Sequence, residues 1–218
     1  MTSYEHLPDD LPIPVDDGAT DHMTGAEVPP VELTASMAQP GQTKNGDVLG
    51  IAQLPGRTVL FIYPRTGTPG MSLPTGWDAI PGARGCTPQA CRIRDSHAEF
   101  EALGARVLGM SSQPSAEQLE AAQRLHLPYP LLSDADLQMA RAWQLPTFSV
   151  DGLTLIRRIT VFVMNGVVDG VIYPVFPPDR SAEAALAWLR ARRAARPPRD
   201  ALVPRRGLPH PIPPRLVR

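Results

Sequence analysis

Only two of the 218 residues are cysteine, too few for the disulfide framework of a small secreted scaffold. No apolar run approaches the roughly 18 residues needed to span a bilayer. The N-terminal stretch MTSYEHLPDDLPIP lacks the basic start and apolar segment of a secretory signal, so a cytoplasmic location is expected. Net charge is only −1 at pH 7, which excludes a whole-chain basic field for nucleic acid. The five histidines are scattered and there is no second cysteine pair, so a metal centre lacks its ligands. What remains is 43% apolar and 20% charged residues, the balance of a soluble globular domain. A core domain of about 150 residues can bury most of its apolar surface.

Charge is uneven along the chain. Residues 1–40 carry eight acidic groups and no Lys or Arg, whereas residues 190–218 carry nine Arg, seven Pro and one Asp. Both ends read as tails or wrapping arms: an acidic arm over 1–27, a domain over 28–190, and an Arg/Pro-rich, disordered tail over 191–218. Within the domain, TVLFIY (58–63) is a buried central strand. A long Gly/Pro-rich loop follows, and TPQACRIRDSHAEFEALG then predicts one helix with Thr87 as N-cap and Gly104 as its stop. RVLGMSS (106–112) is a second strand, SAEQLEAAQRLH (115–126) a helix capped by Ser115, PYPLLSD a short strand and turn, and ADLQMARAWQ (135–144) a third helix. Asn165-Gly166 joins two further strands as a hairpin. A helix over 181–193, capped by Ser181, closes the domain. The order predicts an α/β, three-layer sandwich with a central mixed sheet, and matches a thioredoxin-like fold.

Cys86 and Cys91 are the residues that can carry chemistry. Cys86 stands where a helix begins, so free backbone N–H groups and the positive end of the helix dipole stabilise a thiolate there. Arg84, Arg92 and Arg94 add positive potential. A thiolate that attacks a peroxide becomes a sulfenic acid, with which a second thiol can condense. In a helix, residues five apart differ by about 140° around the axis and rise about 7.5 Å. That exceeds the roughly 7 Å Cα limit for a disulfide, so a bond between the pair requires the first turn to unwind. Pro88, lacking an N–H, lowers the cost of unwinding. Asp95 and His97 read as a capping or surface pair, not as a base.

RGCTPQACRIRDSHAEFEALGARVLGMSSQ resembles the segment around the reactive cysteine of peroxiredoxins, the AhpC/TSA-type thiol peroxidases. It is closest to the Q-type (bacterioferritin comigratory protein) branch. FIYPRTGTPG, LPYPLLSDADLQMARAW and RRITVFVMNGVVDGVIY extend the resemblance over roughly residues 28–190. By position, it implies Cys86 as the peroxidatic cysteine, Cys91 as the resolving cysteine, and Arg158 as the arginine that activates sulfur and peroxide. Pro64 and Thr68 match the first two members of the family motif P-x-x-x-T-x-x-C. The motif cysteine falls at Met71, however, and the GCT sequence appears fifteen residues later, so MSLPTGWDAIPGARG reads as an insertion in the active-site loop. Thr87 is then a further candidate for binding the peroxide, and the inserted loop, with Pro74, Trp77 and Pro81, is a candidate lid or partner surface.

The resemblance therefore implies a thiol-dependent peroxidase that reduces hydrogen peroxide and organic hydroperoxides. A sulfenate would be resolved by an intramolecular disulfide and recycled by a thioredoxin-like reductant. It implies no metal and no organic cofactor, no nucleic-acid or membrane partner, and a monomer or homodimer. The competing readings are a thioredoxin-fold redox sensor, or a disulfide oxidoreductase with little peroxidase activity. The absence of C-x-x-C weighs against the second.

Overall fold

The computed structural model describes residue 7, residues 10–37 and residues 43–195. In chain order the strands are β1 (Glu32–Ser36), β2 (Val48–Gly50), β3 (Arg57–Ile62), β4 (Ala105–Ser111), β5 (Leu131–Ser133), β6 (Thr147–Val150), β7 (Leu153–Ile156), β8 (Ile159–Met164) and β9 (Val167–Ile172). The helices are α1 (Cys86–Asp95), α2 (His97–Ala102), α3 (Ser115–Arg124), α4 (Gln138–Ala142) and α5 (Ser181–Ala194).

The main sheet has seven strands in the order β2-β1-β5-β4-β3-β8-β9. It is mixed: β3 pairs parallel with β4 and antiparallel with β8. β3 reads as a continuous apolar run because both of its faces are covered. Val59 and Phe61 pack into one core with α1, α2, α3 and α5, while Leu60 and Ile62 pack into the other with α4. The three-layer α/β sandwich with a central mixed sheet is therefore present, as the pattern predicts.

The segment before β1 belongs to the structure. Met23 and Val28 are buried in the second core, and the backbone of Gly25, Ala26 and Val28 bonds to Gly166 and Val168 at the start of β9. This covers part of what would otherwise be an open sheet edge. At the other end, α5 continues to Ala194, past the boundary drawn at 190. Residues 196–218, and with them most of the expected tail, lie outside the described residues.

Several local expectations are corrected. Gly85, not Thr87, occupies the N-cap position of α1. The single helix expected over 87–103 is two, broken at Ser96. Pro114 and Arg180 precede α3 and α5, so Ser115 and Ser181 are first helical residues and make no capping bond. α4 is shorter than expected, because Leu137 takes a left-handed conformation and the Asp134 carboxylate accepts the N–H groups of Met139 and Ala140. The β6–β7 hairpin forms a separate two-stranded sheet.

Topology and register place the site. Ile62 at the end of β3 pairs with Ile159 at the start of β8. The residue before β8, Arg158, therefore emerges at the same end of the sheet as the loop that leaves β3 for α1.

The two hairpin turns predict different responses to the same change. Gly152 has φ +75° with open space where a Cβ would sit, whereas a Cβ on Gly166, at φ +79°, would overlap the Ala52 carbonyl oxygen. Gly152→Ala should cost roughly 1–2 kcal/mol from the left-handed backbone alone. Gly166→Ala should cost at least about 1 kcal/mol more, because the clash is added. Urea midpoints of the two variants check this ordering.

Candidate active site

α1 begins at Cys86 because Gly85, at φ +100°, turns the chain into the helix. No other residue fits there easily: a Cβ would overlap Pro178 and press on Leu7. Cys86 thus holds the first helical position, with only 4% of its surface exposed. The Gln89 N–H already donates to the Gly85 carbonyl at 3.0 Å. The N–H groups of the first turn have no partner within the helix, so the positive end of α1 faces the sulfur.

Arg158 supplies the second source of positive charge. It is 3% exposed, and its Nη2 lies 3.2 Å from Cys86 Sγ. The same nitrogen donates to the carbonyls of Gly82 and Ala83 at 3.2 Å and of Arg84 at 2.9 Å. Nη1 donates to the side-chain oxygen of Gln89. The guanidinium therefore clamps the turn that leads into α1 and touches the sulfur at the same time. Among the described residues no carboxylate pairs with it, and its partners are four oxygens and the Cys86 sulfur. Arg157 points away, with its guanidinium 5.9 Å from the centre of the Phe148 ring. Of the two neighbouring arginines, the one chosen by the family register is the one at the sulfur.

A small cavity of about 20 Å³ opens at Cys86 and Thr87. Arg65, Gly67, Leu73 and Trp77 are among the residues that line it. Pro64 and Thr68 are not: Pro64 is buried and Thr68 half-buried, but neither reaches the cavity wall. The residues between them are held by bonds from other elements. Thr66 N–H donates to Gln113 at 2.7 Å, and Gln113 Nε2 donates back to the Thr66 carbonyl at 3.2 Å. Arg124 donates to the Gly67 carbonyl at 2.7 Å, and Arg65 pairs with Glu117 at 2.8 Å. Arg65 and Gly67 are the pair presented to the cavity.

Cys91 is half-buried further along α1 and packs against the first core. The two cysteines are not joined by a disulfide, and α1 is intact between them. Tyr129 donates to the Ala90 carbonyl at 3.1 Å and holds the middle of the helix. Burial keeps the Tyr129 and Tyr63 phenols above their ordinary values, so both core hydroxyls stay neutral. Asp95 pairs with Arg94 at 2.8 Å, and His97 stacks on Tyr129; neither joins the site. Sequence reasoning missed Gln89, although its place three residues after Cys86 puts it on the same helix face.

Comparison with known proteins agrees with this geometry. The Redoxin family profile matches residues 23–186. A chloroplastic peroxiredoxin Q of Arabidopsis thaliana is 34% identical over 133 residues, 61% of this chain. The matched segment is 54% of that protein, so this chain spans about half the length of the plant relative. A putative peroxiredoxin of Mycobacterium tuberculosis is 33% identical over 166 residues, covering 75% of this chain and 97% of the relative. Among solved structures, the peroxidoxin BcpB of Mycobacterium tuberculosis superposes with a TM-score of 0.59 at 31% identity, over 78% of this chain and 97% of that one. A bacterioferritin comigratory protein from Xanthomonas campestris, at 21% identity, shares the fold with a TM-score of 0.57, over 84% of this chain and 99% of that one.

The clamp predicts a specific asymmetry between the two arginines. In a Cys91→Ala background, Arg158→Lys should slow alkylation of Cys86 by iodoacetamide at neutral pH by about tenfold, because one ammonium cannot reach the sulfur, Gln89 and the three carbonyls together. Arg157→Lys should leave the rate within about twofold. Time-resolved intact-mass measurement of the alkylated protein distinguishes the two.

Proposed function

The chain belongs to the Redoxin family, in its Q-type peroxiredoxin branch, and from this premise we propose that it is a cysteine-dependent peroxidase. The observation that carries the reading is Arg158 Nη2 at 3.2 Å from Cys86 Sγ, at the N-terminal end of α1. A buried guanidinium and the N-terminal end of a helix meet at one sulfur, the setting in which a cysteine serves as a nucleophile. In the proposed reaction the Cys86 thiolate attacks one oxygen of a hydroperoxide. The O–O bond breaks, the electron pair goes to the other oxygen, and that oxygen takes a proton and leaves as water or an alcohol. Cys86 is left as a sulfenic acid. Arg158 and the first-turn N–H groups stand where negative charge develops on the peroxide.

Resolution by Cys91 completes the proposed cycle. The Cys91 sulfur displaces hydroxide from the sulfenic acid, a proton joins it to give water, and a Cys86–Cys91 disulfide forms. The helical spacing forbids this bond while α1 is intact, so the first turn must open. Arg158 and Gln89 hold that turn in the reduced protein. A dithiol protein of the thioredoxin type then returns both cysteines to thiols by exchange. A cytoplasmic setting, where such a reductant is kept reduced, suits the cycle.

In a peroxidase assay coupled to thioredoxin, Cys86→Ser should abolish peroxide consumption, and retained turnover would overturn the assignment. Cys91→Ala should keep one stoichiometric reaction with peroxide and lose most steady-state cycling; unchanged cycling would remove Cys91 as the resolving residue. Hydrogen exchange gives the structural counterpart. Protection over residues 84–95 should fall when the wild-type protein is oxidised, whereas equal protection in the two states would contradict the opening of α1.

A further inference from the structure

The inserted segment forms a fixed roof to part of the cavity at the reactive sulfur. Trp77 lies in a short 3-10 helix (Trp77–Ala79) and is 4% exposed. Its ring packs 6.1 Å from that of Phe148, on β6. Asp78 forms an ion pair with Arg84 at 2.6 Å, tying this helix to the turn before Cys86. Thr75 N–H donates to Asp151 at 2.7 Å, in the turn of the β6–β7 hairpin. Two anchors on the β6–β7 hairpin therefore hold the segment, and the Asp78–Arg84 pair braces it internally. The consequence is seen at the cavity: Leu73 and Trp77 form part of its wall, together with Cys86 and Thr87.

Two features of this wall point to different ligands, and size decides between them. Its apolar side chains would welcome an apolar hydroperoxide. Its volume, however, is about 20 Å³, and a single water needs roughly 10–15 Å³ in the same measure. A molecule of two oxygen atoms fits that space, whereas a branched or aromatic hydroperoxide exceeds it and must leave its bulk outside or displace the roof. Displacing it means breaking the Asp78–Arg84 pair or unpacking Trp77 from Phe148.

Resting on the peroxidase reading above, we infer that Trp77 and Leu73 are specificity-determining residues that restrict Cys86 to hydrogen peroxide and similarly small hydroperoxides. The test uses reduced protein carrying Cys91→Ala, so that only Cys86 reacts. Stopped-flow rates are measured with hydrogen peroxide and with cumene hydroperoxide. Without roof substitutions, the cumene rate should be about tenfold or more below the hydrogen peroxide rate. Trp77→Ala should raise the cumene-to-hydrogen-peroxide ratio at least about tenfold. Leu73→Ala, at a half-buried position, should raise it in the same direction and serves if Trp77→Ala does not fold. A ratio that starts near one, or that both variants leave within about twofold, overturns the inference.

A second pair of probes separates this inference from the reading it rests on. Iodoacetamide and the bulky fluorescein-5-maleimide report access to Cys86 without any peroxide chemistry. Size-selective alkylation that Trp77→Ala relieves, with no fast reaction toward either peroxide, would overturn the peroxidase function and leave the roof standing. Alkylation by the two probes with the same ratio in all three proteins would overturn the roof itself.

Discussion

A buried guanidinium with no carboxylate beside it is the constraint on which the rest of this site depends. Removing a charge from water costs several kcal/mol even after relaxation, and Arg158 is almost fully buried. Its partners are dipoles and one sulfur: the carbonyls of Gly82, Ala83 and Arg84, the side chain of Gln89, and Cys86 Sγ. Carbonyl dipoles offset part of the desolvation cost, and a thiolate offsets more because it carries a full opposite charge. The arrangement therefore holds the guanidinium, the sulfur and the closed turn together. The first turn of α1 is thus held by the same group that touches the sulfur of its first residue.

The remainder of the fold serves to bring that pair together. The antiparallel register of β3 and β8 sets Arg158 beside the exit of the central strand. Gly85 lets the chain enter α1 at Cys86 while Pro178 closes against it. The inserted loop is long enough to have displaced the site, yet the structure absorbs it by seating Trp77 on the β6–β7 hairpin and pairing Asp78 with Arg84. The loop therefore extends the wall of the cavity and leaves the Cys86–Arg158 contact intact.

What could be read from the sequence follows how local each signal is. β3 was legible because a run buried on both faces has little polar interruption, and the β8–β9 hairpin because Asn165 and Gly166 both adopt positive φ. Cys86 at a helix start and Arg158 before β8 came from local context joined to the family resemblance. The caps were misread because serine or threonine near a helix start is a preference, which Gly85, Pro114 and Arg180 override through the path of the chain. β6 and β7 were missed although Asp151-Gly152 carries a turn signal, since their strands are short and partly exposed. The packing of Met23 and the seat of Trp77 against Phe148 depend on contacts far apart in sequence, and no local pattern announces them, whereas the spacing of Gln89 from Cys86 was a local signal left unused. The exclusion of Pro64 and Thr68 from the cavity wall belongs with the distant contacts, since Gln113 and Arg124 from other elements hold the residues between them.

The most direct measurement is stopped-flow oxidation of the fully reduced wild-type protein by one equivalent of hydrogen peroxide, followed by intact mass. The account predicts a rate orders of magnitude above that of free cysteine and a product about two mass units lighter, the loss of two hydrogens to a Cys86–Cys91 disulfide. A rate no faster than free cysteine would contradict it, because the guanidinium and the helix end would then be held against the sulfur without making it a nucleophile toward peroxide.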